Sequence, residues 1–212
     1  MKKFSRLPKH IGIIPDGNRR WAVEHNLSKE MGYDKGVEPG VALLEALMEL
    51  GVEEVTFYGF TKDNTKRNVE QKQAFVKACI KSVERAKKIG ANILVVGDNT
   101  KNIFPKECEI YLKRDVENKA IKANFLLNYD WQWDLKEIGE GNKIQNNIKS
   151  KDISKIDLII RWGGRLRLSG FLPIQSVYAD FYSIDDMWPD FEINHLYKAL
   201  EYYEKTDVTL GG

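Results

Sequence analysis

The sequence predicts a single α/β domain, residues 1–212, with a mostly parallel central sheet covered by helices on both faces. Three observations lead there. Runs rich in β-branched and aromatic residues recur at 11–14, 55–60, 93–96, 124–127 and 158–162, each the length of a buried strand. Helical patterns lie between them, and strand–helix–strand alternation builds parallel sheets. No linker, internal repeat or low-complexity tract divides the 212 residues, a length suited to one domain.

Taken in order, the strand at 11–14 runs into a polar turn. Val41, Leu44, Leu47 and Met48 then share one helical face, and Gly51 stands where that helix should stop before the second strand. Val76, Ile80, Val83 and the apolar stem of Lys87 make a second helix, ended at Gly90 ahead of the strand at 93–96. Ile110, Val116 and Ala120 hint at a third helix before the strand at 124–127. The stretch 134–154, polar and punctuated by Gly139 and Gly141, reads as a weak helix in a mobile surface segment ahead of the fifth strand.

Composition narrows the function. With 42% hydrophobic and 30% charged residues the chain is an ordinary globule, and 33 basic against 31 acidic residues leave +2. That balance argues against a nucleic-acid partner or a basic membrane-binding surface, while allowing a local cationic pocket. Met1-Lys2-Lys3 is not followed by an apolar stretch, and no later segment could span a bilayer, so the expected location is the cytosol. Cys79 and Cys108 read as free thiols, and His10, His25 and His195 as ordinary polar positions outside any metal-binding spacing.

Ligands of open parallel sheets collect at the carboxyl ends of the strands, and the residues there are informative. Asp16, Gly17, Asn18, Arg19 and Arg20 follow the first strand; Asn64, Lys66 and Arg67 the second; Arg161, Arg165, Arg167 and Ser169 end or follow the fifth. Guanidinium groups gathered around a few carboxylates suit a doubly anionic, metal-bound ligand. Each piece has a plainer reading. Asp16 or Asn18 could simply cap a helix, the arginines of 161–169 could form an exposed basic edge, and Asp180 among Tyr178, Phe181 and Tyr182 could be a structural hydrogen-bonder rather than a magnesium ligand.

Together and in order, the segments 10–22, 32–36, 60–67, Asn128-Tyr129, 157–169 and 188–191 resemble the cis-prenyltransferases, the family of undecaprenyl diphosphate synthase. The resemblance implies a homodimer whose apolar tunnel, opening at the carboxyl ends of the strands, holds an isoprenoid chain. It implies magnesium-dependent condensation of an allylic diphosphate with isopentenyl diphosphate, a cis double bond, and membrane contact only through the lipid product. On the same ground Asp16 and Asp180 bind magnesium, and Asp16, Asn18 and Asn64 are the catalytic candidates. Gly17, Arg19, Arg20, Trp21, Lys29, Tyr33, Arg67, Arg161, Arg165, Arg167 and Ser169 are the substrate-binding ones.

Several positions depart from the family's usual pattern. Tyr33 stands where a phosphate-binding histidine is usual, Lys29 for an arginine, Thr65 for a tryptophan, Arg165 for a glutamate and Asp180 for a glutamate. Asp130-Trp131-Gln132 replaces a Gly-Gly-Arg, Gly170 an asparagine, and the tail Leu210-Gly211-Gly212 lacks a nearby arginine that reaches the partner's site in the family. These changes leave branched condensation, cyclisation, transfer to another acceptor, or an inactive partner subunit as alternatives to regular chain growth.

Overall fold

The computed structural model describes residues 2–138 and 147–206. Six parallel strands form one sheet in the order β3-β4-β2-β1-β5-β6, where β1 is His10–Ile14, β2 Glu54–Tyr58, β3 Asn92–Val96, β4 Lys122–Leu126, β5 Leu158–Arg161 and β6 Asp180–Ser183. The first five match the expected runs within two residues at each end. β6 was not expected. The helices are α1 (Asn18–Glu24), α2 (Met31–Lys35), α3 (Val37–Leu50), α4 (Val69–Lys88), α5 (Trp131–Asp134) and α6 (Ile193–Lys205).

Strand alternation divides the core in two. Ile11, Ile13, Val55, Phe57, Ile93, Val95, Ala123, Phe125, Leu158 and Ile160 point to one face, which α3, α4 and α6 cover with Leu43, Leu44, Leu47, Val83, Leu196 and Leu200. Ile14, Tyr58, Leu94, Leu126 and Ile159 point to the other, where Ile153, Ile156, Phe171 and Leu172 close the core from largely irregular chain. α4 starts at Asn68, whose side chain accepts the Gln71 N–H at 2.9 Å, and ends on Arg85, Lys87 and Lys88, complementing the helix dipole. Gly51 and Gly90, with φ of 80° and 94°, sit at helix ends as expected.

Two expectations need correction. There is no helix joining Ile110, Val116 and Ala120: Lys106–Tyr111 is a short 3-10 turn, and Ile110 and Val116 are exposed. Their six-residue separation does not place them on one helical face. The polar stretch beginning at 134 is also less superficial than expected. Asp134 is buried, accepting from Tyr129 Oη at 2.7 Å and from Ser150 Oγ at 2.7 Å, and Ile148 and Ile153 enter the interior. The weak helix expected around Gly139 and Gly141, and the tail at 210–212, lie outside the described residues.

Candidate active site

The chain leaves β1 through Pro15 and Asp16 and enters α1 at Asn18. Gly17 makes that reversal possible: its φ of 108° suits glycine, and a Cβ there would lie 2.8 Å from Met187 Cβ. The Asp16 carboxylate is thereby fixed at the rim, with Oδ1 accepting the Gly17 N–H at 2.7 Å. β5 is paired with β1 so that Ile14 lies beside Arg161, which brings Arg161 to the same rim. Arg161 Nη2 donates to Asp16 Oδ2 at 2.8 Å, and Nη1 donates to Ser169 Oγ at 3.0 Å and to the Arg167 carbonyl. Arg20, one turn into α1, lies 3.6 Å from Asp16 Oδ1 and donates to the Gly163 carbonyl at 3.0 Å. Glycine is favoured at 163 by its φ of 83°, and a Cβ there would also displace the Arg20 guanidinium, 2.4 Å away at Nη2. The distant segments at 16–20 and 161–169 thus meet at one cavity mouth.

Around them lies a polar cleft of about 620 Å³. Asp16, Gly17, Asn18, Arg19, Arg20, Lys29, Tyr33, Asn64, Arg67, Arg161, Arg167 and Ser169 line it, as do Tyr58, Thr61, Asp63 and Phe75, which sequence reasoning missed. Tyr58 ends β2 and Phe75 lies on the inner face of α4, so strand-end position was the available signal for the first. Asn64 is held by the chain itself, its Oδ1 accepting the Thr61 N–H at 3.1 Å. Asn18 Nδ2 donates to the Pro15 carbonyl at 2.9 Å, while its Oδ1 is buried without a partner. Arg161 Nε is likewise buried and unpartnered. Both belong to residues that line the cleft, and such unpartnered buried polar atoms are uncommon in folded proteins.

Beneath the cleft, between α3, α4 and the sheet, is a narrow apolar cavity of about 70 Å³ lined by Val37, Val41, Leu44, Phe57, Phe125 and Leu127 among others. Pro15, Asn18, Tyr33, Tyr58, Gly59 and Phe75 border both spaces. A cleft rich in arginines and an apolar cavity therefore lie side by side, separated by these shared wall residues.

Three expected site residues are placed elsewhere. Trp21 turns away from the cleft, stacked on His25 at 4.0 Å between ring centroids and donating from Nε1 to Asp190 Oδ1 at 2.6 Å. Arg165 is exposed and does not line the cleft. Asp180 opens β6 level with Leu158, three residues before Arg161, which puts it about 10 Å down the sheet from the rim. Its neighbours there include Arg6, so within one chain it does not share a metal shell with Asp16.

The family model described as putative undecaprenyl diphosphate synthase matches residues 14–211. The chain belongs to the undecaprenyl diphosphate synthase family. Among similar proteins, isoprenyl transferase of Leptospira interrogans serogroup Icterohaemorrhagiae serovar copenhageni is 32% identical over 98% of this chain and 96% of its own length. Isoprenyl transferase of Streptococcus thermophilus is 33% identical over 99% and 95%. The crystal structure of lavandulyl diphosphate synthase from Lavandula x intermedia, in complex with dimethylallyl diphosphate, superposes with a TM-score of 0.84 at 19% identity, covering 97% of this chain and 98% of that one. That likeness extends the family's fold to this chain, and the relatives' names fix its chemistry as prenyl transfer. The protein is a prenyltransferase. No helix among the described residues is long and apolar enough to cross a membrane.

Proposed function

We propose that the protein transfers an allylic prenyl group from its diphosphate to isopentenyl diphosphate, forming a cis-prenyl diphosphate and releasing pyrophosphate. The observation that carries this reading is the shared border of the two compartments, with arginines on one side and apolar wall on the other. A prenyl diphosphate has that division of polarity. Lavandulyl diphosphate synthase, the similar solved structure, is in complex with dimethylallyl diphosphate, an allylic diphosphate, which supports the same assignment here.

Arg20, Arg67, Arg161 and Arg167 would hold the diphosphates, the last three by forked donors that match phosphate oxygens. As the allylic C–O bond breaks, negative charge grows on the departing pyrophosphate, and these preorganised donors stabilise it where it develops. Holding the second substrate's alkene beside the allylic carbon makes the encounter effectively intramolecular. The apolar walls keep water from the cationic carbon.

The residues present fit magnesium as a substrate-borne ion. Asp16 offers one carboxylate, a third exposed at the rim, and no cluster of three or more acidic, His or Cys ligands occurs among the described residues. Magnesium commonly needs one or two carboxylates, with phosphate and water oxygens filling the rest. When bound it would supply charge neutralisation to the diphosphate. Two copies of the chain form the working enzyme, and the cytosol is its place.

Incubation with geranyl or farnesyl diphosphate, labelled isopentenyl diphosphate and magnesium should release pyrophosphate and yield products longer by whole isoprene units. Silence with every allylic length would sink the reading. Products not spaced by isoprene units would move it to branched condensation or cyclisation.

A further inference from the structure

Arg67 is a half-buried cation to which no carboxylate among the described residues is hydrogen-bonded. It forms no ion pair among the described residues, and its guanidinium is supported by neutral groups instead. Nη1 donates to Tyr33 Oη at 2.7 Å. The guanidinium carbon stands 5.3 Å from the ring centre of Phe75 and 5.7 Å from that of Tyr33. Those rings are stacked, 4.5 Å between centroids and 8° from parallel, so neither can swing without the other. Tyr33 is only 5% exposed, and both rings border cleft and cavity alike.

The choice of neutral supports has a physical consequence. A carboxylate beside Arg67 would fix the side chain but neutralise it before any ligand arrived. A phenol oxygen and two ring faces fix it nearly as well, through one hydrogen bond and the ring quadrupoles, and leave its full charge to a diphosphate. Burial, and after it the nearby Arg19 guanidinium, pull Arg67 below its ordinary value, against the opposing pull of Tyr33 and of the more distant Asp16 carboxylate. Burial pushes the Tyr33 phenol up, so the brace does not ionise near neutral pH. A histidine at this position would titrate there and add a third cation beside Arg19 and Arg67.

We propose that Tyr33, clamped by Phe75, is a positioning residue for Arg67, holding the guanidinium at the junction of cleft and cavity with its charge unpaired for the diphosphate. This rests on the prenyl diphosphate reading above and adds to it which groups aim one of its arginines, and why the aim is insensitive to pH.

A double-mutant cycle tests it, because a residue acting through another loses its effect when the other is gone. The probe is inorganic pyrophosphate with magnesium, titrated calorimetrically into the wild type, Tyr33→Phe, Arg67→Gln and the double variant, with melting curves confirming that each is folded. Tyr33→Phe keeps the ring stack and should weaken binding by about tenfold, the worth of a hydrogen bond to a charged group. Arg67→Gln should weaken it further, and adding Tyr33→Phe to Arg67→Gln should change nothing. In turnover, Tyr33→Phe should raise KM for the allylic diphosphate and leave kcat within about twofold. Wild-type binding between pH 6 and 9 should show no inflection that Tyr33→Phe removes. Tyr33→Phe binding as tightly as wild type, or losses that add in the double variant, would overturn the positioning role alone. A folded wild type that binds no pyrophosphate would instead overturn the reading of the cleft, and this inference with it.

Discussion

Asp16 and Arg161 tie the stability of the rim to the proposed chemistry. The Arg161 side chain is 4% exposed, and among the described residues the Asp16 carboxylate at 2.8 Å is its one counter-ion. A guanidinium this buried is costly without a negative partner. Under the proposed function an incoming diphosphate would supply a second negative partner, and Asp16 would then be free to hold a metal without stranding the arginine. Asp16→Asn removes the charge at nearly constant shape. Turnover should fall by at least about a hundredfold, as when a group that stabilises developing charge is lost. Stability should fall by about 1–3 kcal/mol, discounted because Asp16 itself is partly exposed. Pyrophosphate without metal should then restore more of the melting temperature in Asp16→Asn than it adds to the wild type. Equal shifts in the two proteins would show that Arg161 does not receive the anion.

At the scale of elements, the second face of the sheet carries a polar ladder at the amino ends of its strands. His10 Nδ1 faces the carbonyls of Ser154 and Lys155 at 3.1 and 3.2 Å and so carries the ring proton, while Nε2 accepts from Thr56 Oγ1 at 2.8 Å. Thr56 Oγ1 and Glu54 Oε1 both accept from Asn124 Nδ2, and Arg114 donates to Asn124 Oδ1. A second proton on His10 would reverse the Thr56 bond, ending that hydroxyl's donation to Nε2, and would charge a buried ring. Burial holds the imidazole below its ordinary value, against the opposing pull of Glu54 and Asp157. The unfolded chain takes up that proton near pH 6.5 and the folded chain only at lower pH, so this part of the stability is present above about 6.5 and is lost as pH falls. The urea midpoint should drop between about pH 7 and 5, and His10→Gln should flatten that slope; an unchanged slope would remove His10 from the account. The ladder also explains what was legible. β1 to β5 read clearly because buried parallel strands need continuous apolar runs, and the polar positions at 10, 54, 56 and 124 fell at or beyond the edges of those runs or were too few to break them. β6 was hidden because an edge strand is half-covered, and Asp180-Phe181-Tyr182-Ser183 presents no such run. The supposed third helix failed for the converse reason, three apolar residues without a shared face.

At the scale of the whole molecule, a parallel sheet sends every strand's carboxyl end to one rim, which is why Asp16, Asn64, Arg67 and Arg161 could be grouped from the sequence. Where each side chain turns was not legible, because it depends on contacts remote in the chain, as Trp21 with Asp190 and Arg67 with Tyr33 show. The same sheet has two edges of unequal character. β3 is wholly buried, closed by α4 and the turn over Lys106–Tyr111. β6 is half-exposed along its length, with Val177 and Tyr178 exposed at 64% and 69% just before it, and Tyr202 of α6 beside Tyr182. An open edge flanked by apolar side chains is a template for self-association unless it is covered. Pairing of two copies over this edge would cover it, and a two-fold arrangement is the commonest closed one. Sedimentation equilibrium should give twice the 24.5 kDa of the chain. Val177→Asp with Tyr178→Asp should shift the protein to single chains and leave the fold intact, since neither side chain enters the core. A wild type that sediments as one chain at micromolar concentration would mean that the β6 edge is tolerated exposed, and that each copy works with its own residues alone.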